Sequence, residues 1–174
     1  MRKSDTLLFS LNKAEIICIF IYYIVILISG GVFSIHTLCS LAENSSRTQI
    51  MLKTVLSSIS ISGMLCSLQY SKRLYKACIT NRIVSEGILI ERIGNVVYFL
   101  LRPFYAFAFV IVMVYALLSG MFIVSGNLDY IINEKFLYIC AIISSFIGYS
   151  IGHVLDKFEI ISKEKIDDIN GGIS

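Results

Sequence analysis

The sequence predicts an all-α integral membrane protein, a four-helix bundle with both termini in the cytoplasm and a helical basic loop between spans 2 and 3. Its 174 residues are 56% hydrophobic and only 16% charged, whereas a soluble domain carries about a quarter charged residues. Four uncharged runs are long enough to cross a bilayer, which takes roughly 20 apolar residues in a helix. The length of the chain allows one domain, so we expect residues 1–174 to form a single four-span membrane domain.

The first two predicted spans cover residues 16–36 and 51–70. The first is an apolar run longer than the core of a cleaved signal peptide, which has about 7 to 15 residues, so we expect an uncleaved anchor. The second is shorter and rich in serine. It reaches spanning length because the Lys53 side chain can extend its ammonium group to the interface.

The third and fourth predicted spans cover residues 103–125 and 136–155. An arginine at the bilayer centre costs several kcal/mol, whereas Arg102 at the headgroups with Pro103 in the first helical turn costs little. We therefore expect the span to begin after Arg102, with residues 83–101 in a partly amphipathic helix at the inner interface. No charged side chain would then lie deep in a span, which disfavours coupled transport.

The orientation follows from the distribution of Lys and Arg. The N-terminal segment, the loop 71–102 and the tail 156–174 together carry 12 basic residues, against 3 on the other side, which are Arg47, Lys135 and Lys53 at the far edge of the first loop. By the positive-inside rule, a multi-pass protein with this distribution has both termini in the cytoplasm. The tail continues helically from the fourth span and is expected to serve as a docking segment.

The loop 71–102 begins with a dense basic stretch, which we predict to bind lipid headgroups or a protein partner. Its basic residues are Lys72, Arg73, Lys76 and Arg82. Three apolar residues at helical spacing, Leu74, Cys78 and Ile79, give the same stretch an edge that a partner could contact. We expect no direct binding of nucleic acid, because anionic headgroups compete for these charges.

Small residues in the fourth span recur every four positions, at Ser144, Gly148 and Gly152. Such a stripe lets two helix backbones approach closely. The second span carries many hydroxyl groups and is expected to face protein or a water-filled path. The sequence leaves open whether these stripes pack within one bundle or between the subunits of a homo-oligomer, and whether the second span lines a pore.

Motifs that carry chemistry are missing from the sequence. It contains no HExxH, GxSxG or GxxxxGK[ST] pattern. His36 and Cys39 lie three residues apart, but two ligands without a nearby carboxylate make a weak metal site. We therefore expect no catalytic residue, no metal and no cofactor, and a protein that is not an enzyme.

In its overall architecture the chain resembles the membrane subunit of the Kiwa anti-phage defence system of bacteria. The resemblance is in the four spans, the internal termini, the hydroxyl-rich second span, the basic loop and the lack of a catalytic motif. It implies a homo-oligomer in the inner membrane that senses phage and anchors a soluble cytoplasmic partner, in contact with membrane lipids. It implies no site residue. The alternatives are an immunity protein against a pore-forming bacteriocin and a homo-oligomeric pore.

Overall fold

The computed structural model describes residues 9–40, 46–80, 83–84, 89–126 and 132–171. It confirms a bundle of four long helices, each apolar and long enough to cross a membrane. The helices are α1 (Lys13–Cys39), α2 (Arg47–Ile79), α3 (Leu89–Ser125) and α4 (Glu134–Gly171). The two short strands β1 (Phe9–Ser10) and β2 (Ile83–Val84) pair in parallel and join the segment before α1 to the connection between α2 and α3.

The first two helices begin at polar caps. The Glu15 carboxylate accepts the backbone N–H of Asn12 at 2.7 Å, before the first turn of α1. At the start of α2, the Ser46 hydroxyl accepts the N–H of Gln49 at 3.4 Å, and the Gln49 side chain accepts the N–H of Ser46 at 3.1 Å. These bonds use backbone donors that have no partner within the helix, and so they fix where α1 and α2 start.

Two contacts identify the ends of the bundle. The carboxylate of Glu15 lies 2.6 Å from the guanidinium of Arg92, so the starts of α1 and α3 lie side by side at what we term the Glu15 end. At the opposite end, which we term the Lys53 end, the Lys53 ammonium donates to the carbonyl of Ser40 at 2.6 Å. The end of α1 therefore lies beside the start of α2. Because successive helices alternate in direction, α2 and the candidate span of α4 both finish at the Glu15 end.

Helix α2 occupies the centre of the bundle and contacts each of the other three helices. In an apolar stretch of 18 residues within α2, 39% of the residues are buried, against 11% in the corresponding stretch of α3. Of the two surroundings that the sequence allowed for the hydroxyl-rich span, protein or a water-filled path, the structure shows protein, since most of its small residues are buried in the bundle. They are Thr54, Ser57, Ser58, Ser62, Gly63, Cys66 and Ser67. The other helices expose large apolar side chains such as Ile28, Val112 and Ile142, which suits a surface in contact with lipid.

The buried side chains differ between the two ends. The cluster toward the Glu15 end is built on the large rings of Tyr23, Tyr70 and Phe99. The cluster toward the Lys53 end contains mainly smaller residues, including Val110, Val114 and Cys140. The two fully buried tyrosines therefore lie in the cluster toward the Glu15 end.

Helix α3 departs from the sequence prediction. It begins at Leu89 and runs through Pro103 without a break, so the prediction that Pro103 lies in the first turn is wrong. Residues 89–101, expected as a separate interfacial helix, form the first part of α3. The basic stretch after the second span likewise continues α2 as far as Ile79. The predicted helical continuation of the fourth span is confirmed, since α4 extends to Gly171.

Candidate functional site

Arg102 lies inside the bundle with only 5% of its surface exposed. Its guanidinium carbon is 4.0 Å from the ring centroid of Tyr98 and 5.4 Å from that of Tyr70. The negative faces of aromatic rings attract a cation at such distances. By length and composition the candidate span of α3 runs from Arg92 to Val124 and includes Arg102, whereas we expected the span to begin after this residue.

Pro103 is accommodated within α3 by hydroxyl groups from α1. Proline has no N–H, so the carbonyl of Phe99, four residues earlier, loses its partner within the helix. The Tyr23 hydroxyl donates to this carbonyl at 2.6 Å. The Tyr22 hydroxyl donates to the next carbonyl, that of Leu100, at 3.2 Å. Donors from a neighbouring helix thus allow α3 to continue through the proline, as happens at proline kinks in membranes. We term these two bonds the tyrosine contact.

Aromatic rings from three helices pack together around this position. The centroids of Tyr23 and Tyr70 lie 6.4 Å apart, and the ring of Phe99 meets Tyr70 edge-on at 6.4 Å. Tyr98 meets Phe99 edge-on at 5.3 Å. Edge-on pairs at these distances are favourable beyond their buried area. The rings hold Arg102 in a defined place between α2 and α3.

A cleft of about 240 Å³ opens beside Arg102, between α3 and α4. It is lined by Tyr98, Leu101, Arg102, Tyr105 and Leu155. Leu101 and Tyr105 are 40% and 45% exposed, so the cleft faces outward from the bundle. Its lining combines the buried Arg102 side chain with apolar and aromatic side chains. Among the described residues, no three His, Cys, Asp or Glu side chains come together to hold a metal.

The predicted stripe on α4 packs against α2 of the same chain. A Cβ added to Gly148 would lie 2.8 Å from the Cα of Ser62, and one added to Gly152 would lie 2.7 Å from the Tyr70 hydroxyl. Ser144 is fully buried, and its hydroxyl donates to the carbonyl of Cys140 at 2.6 Å. We term this contact the glycine seam. Of the two uses left open by the sequence, the stripe serves packing within the bundle.

The predicted basic residues lie at the end of α2. Lys72 and Lys76 are exposed, and Arg73 is half-buried. Arg82 lies outside the described residues. The three apolar residues that we expected to contact a partner are only partly exposed. Leu74 is fully buried in the bundle's own aromatic cluster, whereas Ile79 is 65% exposed and Cys78 lies between these extremes.

Sequence reasoning missed the site around Arg102. One available signal was the apolar segment 93–101, which leads directly into the predicted span and is separated from it only by Arg102. Another was the pair Tyr22 and Tyr23 within the first span, because a buried phenol needs a hydrogen-bond partner. Comparisons with family models, curated proteins and solved structures give no match to the chain.

Proposed function

We propose that this chain is a non-enzymatic multi-pass protein of the bacterial inner membrane that anchors a soluble cytoplasmic protein in an anti-phage defence system. The observation that carries the proposal is the projection of helices at the Glu15 end. Helix α4 continues for 16 residues beyond Leu155, the last residue of its candidate span. At 1.5 Å per residue this adds about 24 Å of helix. A projecting helix of this length offers a surface to a soluble partner.

The distribution of charge supports placing the Glu15 end in the cytoplasm. Lys72, Lys76 and Lys157 are all exposed near the points where α2 and α4 leave the apolar layer. Basic residues close to span ends resist translocation. In this orientation both termini are cytoplasmic, and the projecting part of α4 is on the same side as the proposed partner.

The neighbouring positions of α2 and α4 define the docking surface. Gly148 meets Ser62, and Gly152 meets Tyr70 eight residues further along α2, so the two helices run side by side in the same direction. Lys72 and Lys76 therefore lie beside the beginning of the α4 projection. The sequence of that projection mixes acidic and basic residues. A partner that places an acidic patch against the two lysines and mixed charges against the α4 projection would fit this surface.

The proposed role in phage defence and the proposed homo-oligomer both rest on the resemblance in architecture to the Kiwa membrane subunit. A pore lined by α2 receives no support from the burial of its serines. Ser57, Ser58, Ser62 and Ser67 are fully covered by helices of one chain, so they would reach a shared pore only if the bundle opened.

Affinity purification of the full chain from its native host in mild detergent tests the proposal. The wild type should bring down a stoichiometric cytoplasmic protein, and light scattering should show more than one copy of the chain. The double variant K72Q/K76Q should lose the partner and still insert, because exposed charges contribute to association and little to packing. The matched control is K135Q, which removes an exposed charge at the Lys53 end.

Three results would contradict the anchor. The chain recovered alone from cells that it protects against a bacteriocin would indicate an immunity protein. Conductance in liposomes would indicate a pore. Inversion of K72Q/K76Q, seen as loss of protection of a C-terminal tag from external protease, would show that these lysines only set the topology.

A further inference from the structure

We propose that α3 bends at Pro103, so that the part of this helix beyond the proline swings away from α2 at the Lys53 end of the bundle. We term this part, residues 104–125, the arm. The movement is built into the fold and does not depend on the docking role of the Glu15 end. Three features carry the inference: the backbone at Pro103, the unequal contacts of the two parts of α3, and the close contact at Gly63.

The backbone of α3 is weakened at Pro103. A proline in a helix interior removes one backbone hydrogen bond and its ring crowds the preceding turn, and sharp helix bends occur mostly at such residues. The carbonyls of Phe99 and Leu100 accept from the hydroxyls of Tyr23 and Tyr22. The turn before the proline is therefore tied to α1, and one backbone bond fewer ties it to the arm.

The part of α3 before Pro103 is held by contacts of polar groups. The Arg92 guanidinium lies 2.6 Å from the carboxylate of Glu15 on α1. The Arg102 guanidinium lies 5.4 Å from the ring centroid of Tyr70 on α2. Hydrocarbon supplies no polar partner that could replace such contacts. This part of α3 therefore stays fixed against α1 and α2 while the arm moves.

The arm is held by apolar packing. Among the described residues, no hydrogen bond or ion pair joins a side chain of residues 104–124 to another helix. The fully buried residues of the arm are the small Ala106, Val110 and Val114, and none of the described residues of α3 after Val114 is buried. Because lipid chains are as apolar as these side chains, lipid can replace their contacts at little cost beyond the lost packing.

The contact at Gly63 of α2 gives the direction of the bend. A Cβ added to Gly63 would lie 2.5 Å from Cε1 and 3.0 Å from Cζ of Phe107, so this ring lies directly on the α2 backbone one turn beyond Pro103. A bend that moves the arm away from α2 lifts the ring off Gly63. The 21 residues from Phe104 to Val124 form about 31 Å of helix. A bend of about 20° therefore displaces the end of the arm by about 10 Å.

Distances between two spin labels on the full chain in liposomes, measured by double electron–electron resonance, test the proposal. The labels are attached at L52C on α2 and V124C on the arm, where the natural residues are 58% and 88% exposed. The cysteines that are not buried are first replaced by serine, and they are Cys18, Cys39 and Cys78. With Pro103 present, this label pair should give two distances that differ by about 10 Å. P103A should give only the shorter distance, because its N–H restores the helix bond to the carbonyl of Phe99.

The matched control keeps the label at residue 52 and moves the other to I90C, before the proline, where Ile90 is 77% exposed. This pair should give a single distance with and without Pro103. If P103A fails to fold, the comparison of the two label pairs with Pro103 present still decides the question. A single distance for the pair L52C and V124C, or two distances that persist in P103A, would overturn the proposal.

A second variant keeps the proline and pushes on the arm. G63A places a Cβ against the Phe107 ring and should raise the share of the longer distance between the labels at residues 52 and 124. G94A is its control, because an added Cβ at Gly94 has nothing within 4 Å. An unchanged distribution in G63A would show that the arm does not bend away from Gly63, which would also overturn the proposal.

Discussion

The glycine seam and the tyrosine contact join helices of one bundle by opposite means. In the seam, Gly148 lacks a side chain, so the backbones of α2 and α4 touch at Ser62. In the tyrosine contact, the long side chain of Tyr23 spans the gap between α1 and α3 and donates to the carbonyl of Phe99. The seam depends on shape alone, whereas the tyrosine contact supplies a hydrogen bond that Pro103 has removed.

This difference predicts how each region fails. At Gly148 the seam is made by backbone atoms, which cannot yield to an added methyl group, so its failure there is steric and no change elsewhere repairs it easily. A contact made by one donor fails when that donor is lost, and it can be repaired by restoring a donor from another source. The first three predictions below test this contrast, and the fourth sets the scale for a buried hydroxyl without a partner among the described residues.

Substitution G148A should have the largest effect, a loss of about 2 to 3 kcal/mol of stability, because the added Cβ meets backbone atoms of Ser62 that cannot move aside. SDS titration in mixed micelles measures the loss. The control is G120A, since Gly120 has nothing within 4 Å of an added Cβ and alanine is the better helix former. Similar stabilities of the two variants would remove the steric basis of the seam.

Substitution Y23F should cost about 1.5 kcal/mol, because the carbonyl of Phe99 is left buried without its donor. In a P103A background the restored N–H of residue 103 can bond this carbonyl, and the loss caused by Y23F should fall below about 0.5 kcal/mol. The double-mutant cycle is measured by the same SDS titration. An equal loss in both backgrounds would show that the proline and the tyrosine act independently.

Substitution G152A should cost less than G148A, about 1 kcal/mol, because its Cβ meets the tip of a side chain, the Tyr70 hydroxyl. Removing that hydroxyl with Y70F should reduce the loss, which can be followed by the thermal midpoint in detergent. If G152A is just as harmful in the Y70F background, the clash involves something other than the hydroxyl.

Substitution S67A should change stability by no more than about 0.5 kcal/mol, the smallest effect of the four. The Ser67 hydroxyl is buried and has no hydrogen-bond partner among the described residues, so its removal costs no bond. Thermal unfolding of the two proteins in the same detergent provides the comparison. A loss above about 1.5 kcal/mol would show that this hydroxyl does have a partner, such as a bound water.

Much of the fold is predictable because uncharged runs of spanning length leave helices as the only choice in lipid. The glycine seam is also visible in the sequence, since Ser144, Gly148 and Gly152 recur at the helical spacing. The sequence does not reveal which surface the stripe contacts. That depends on the position of Ser62 on another helix.

The burial of Arg102 could not be predicted from α3 alone. Rules for single helices place an arginine and a proline at a span boundary, since an isolated helix has nothing to cover them. Here Tyr70 of α2 covers the charge, and Tyr23 of α1 bonds the carbonyl. The same limit applies to Leu74, which local spacing assigned to a partner surface but which the chain's own core buries.

The tyrosine contact also bears on the order in which the protein is assembled. An α3 helix entering lipid by itself would expose the carbonyl of Phe99 and the charge of Arg102 to hydrocarbon, both at considerable cost. The two helices that cover these groups precede α3 in the chain, so a ribosome makes them first. Tyr23 of α1 and Tyr70 of α2 are therefore in the membrane before α3 enters it. In a circular permutant that begins with α3, this helix would have to enter the membrane before α1 and α2 are present to cover the carbonyl and the charge.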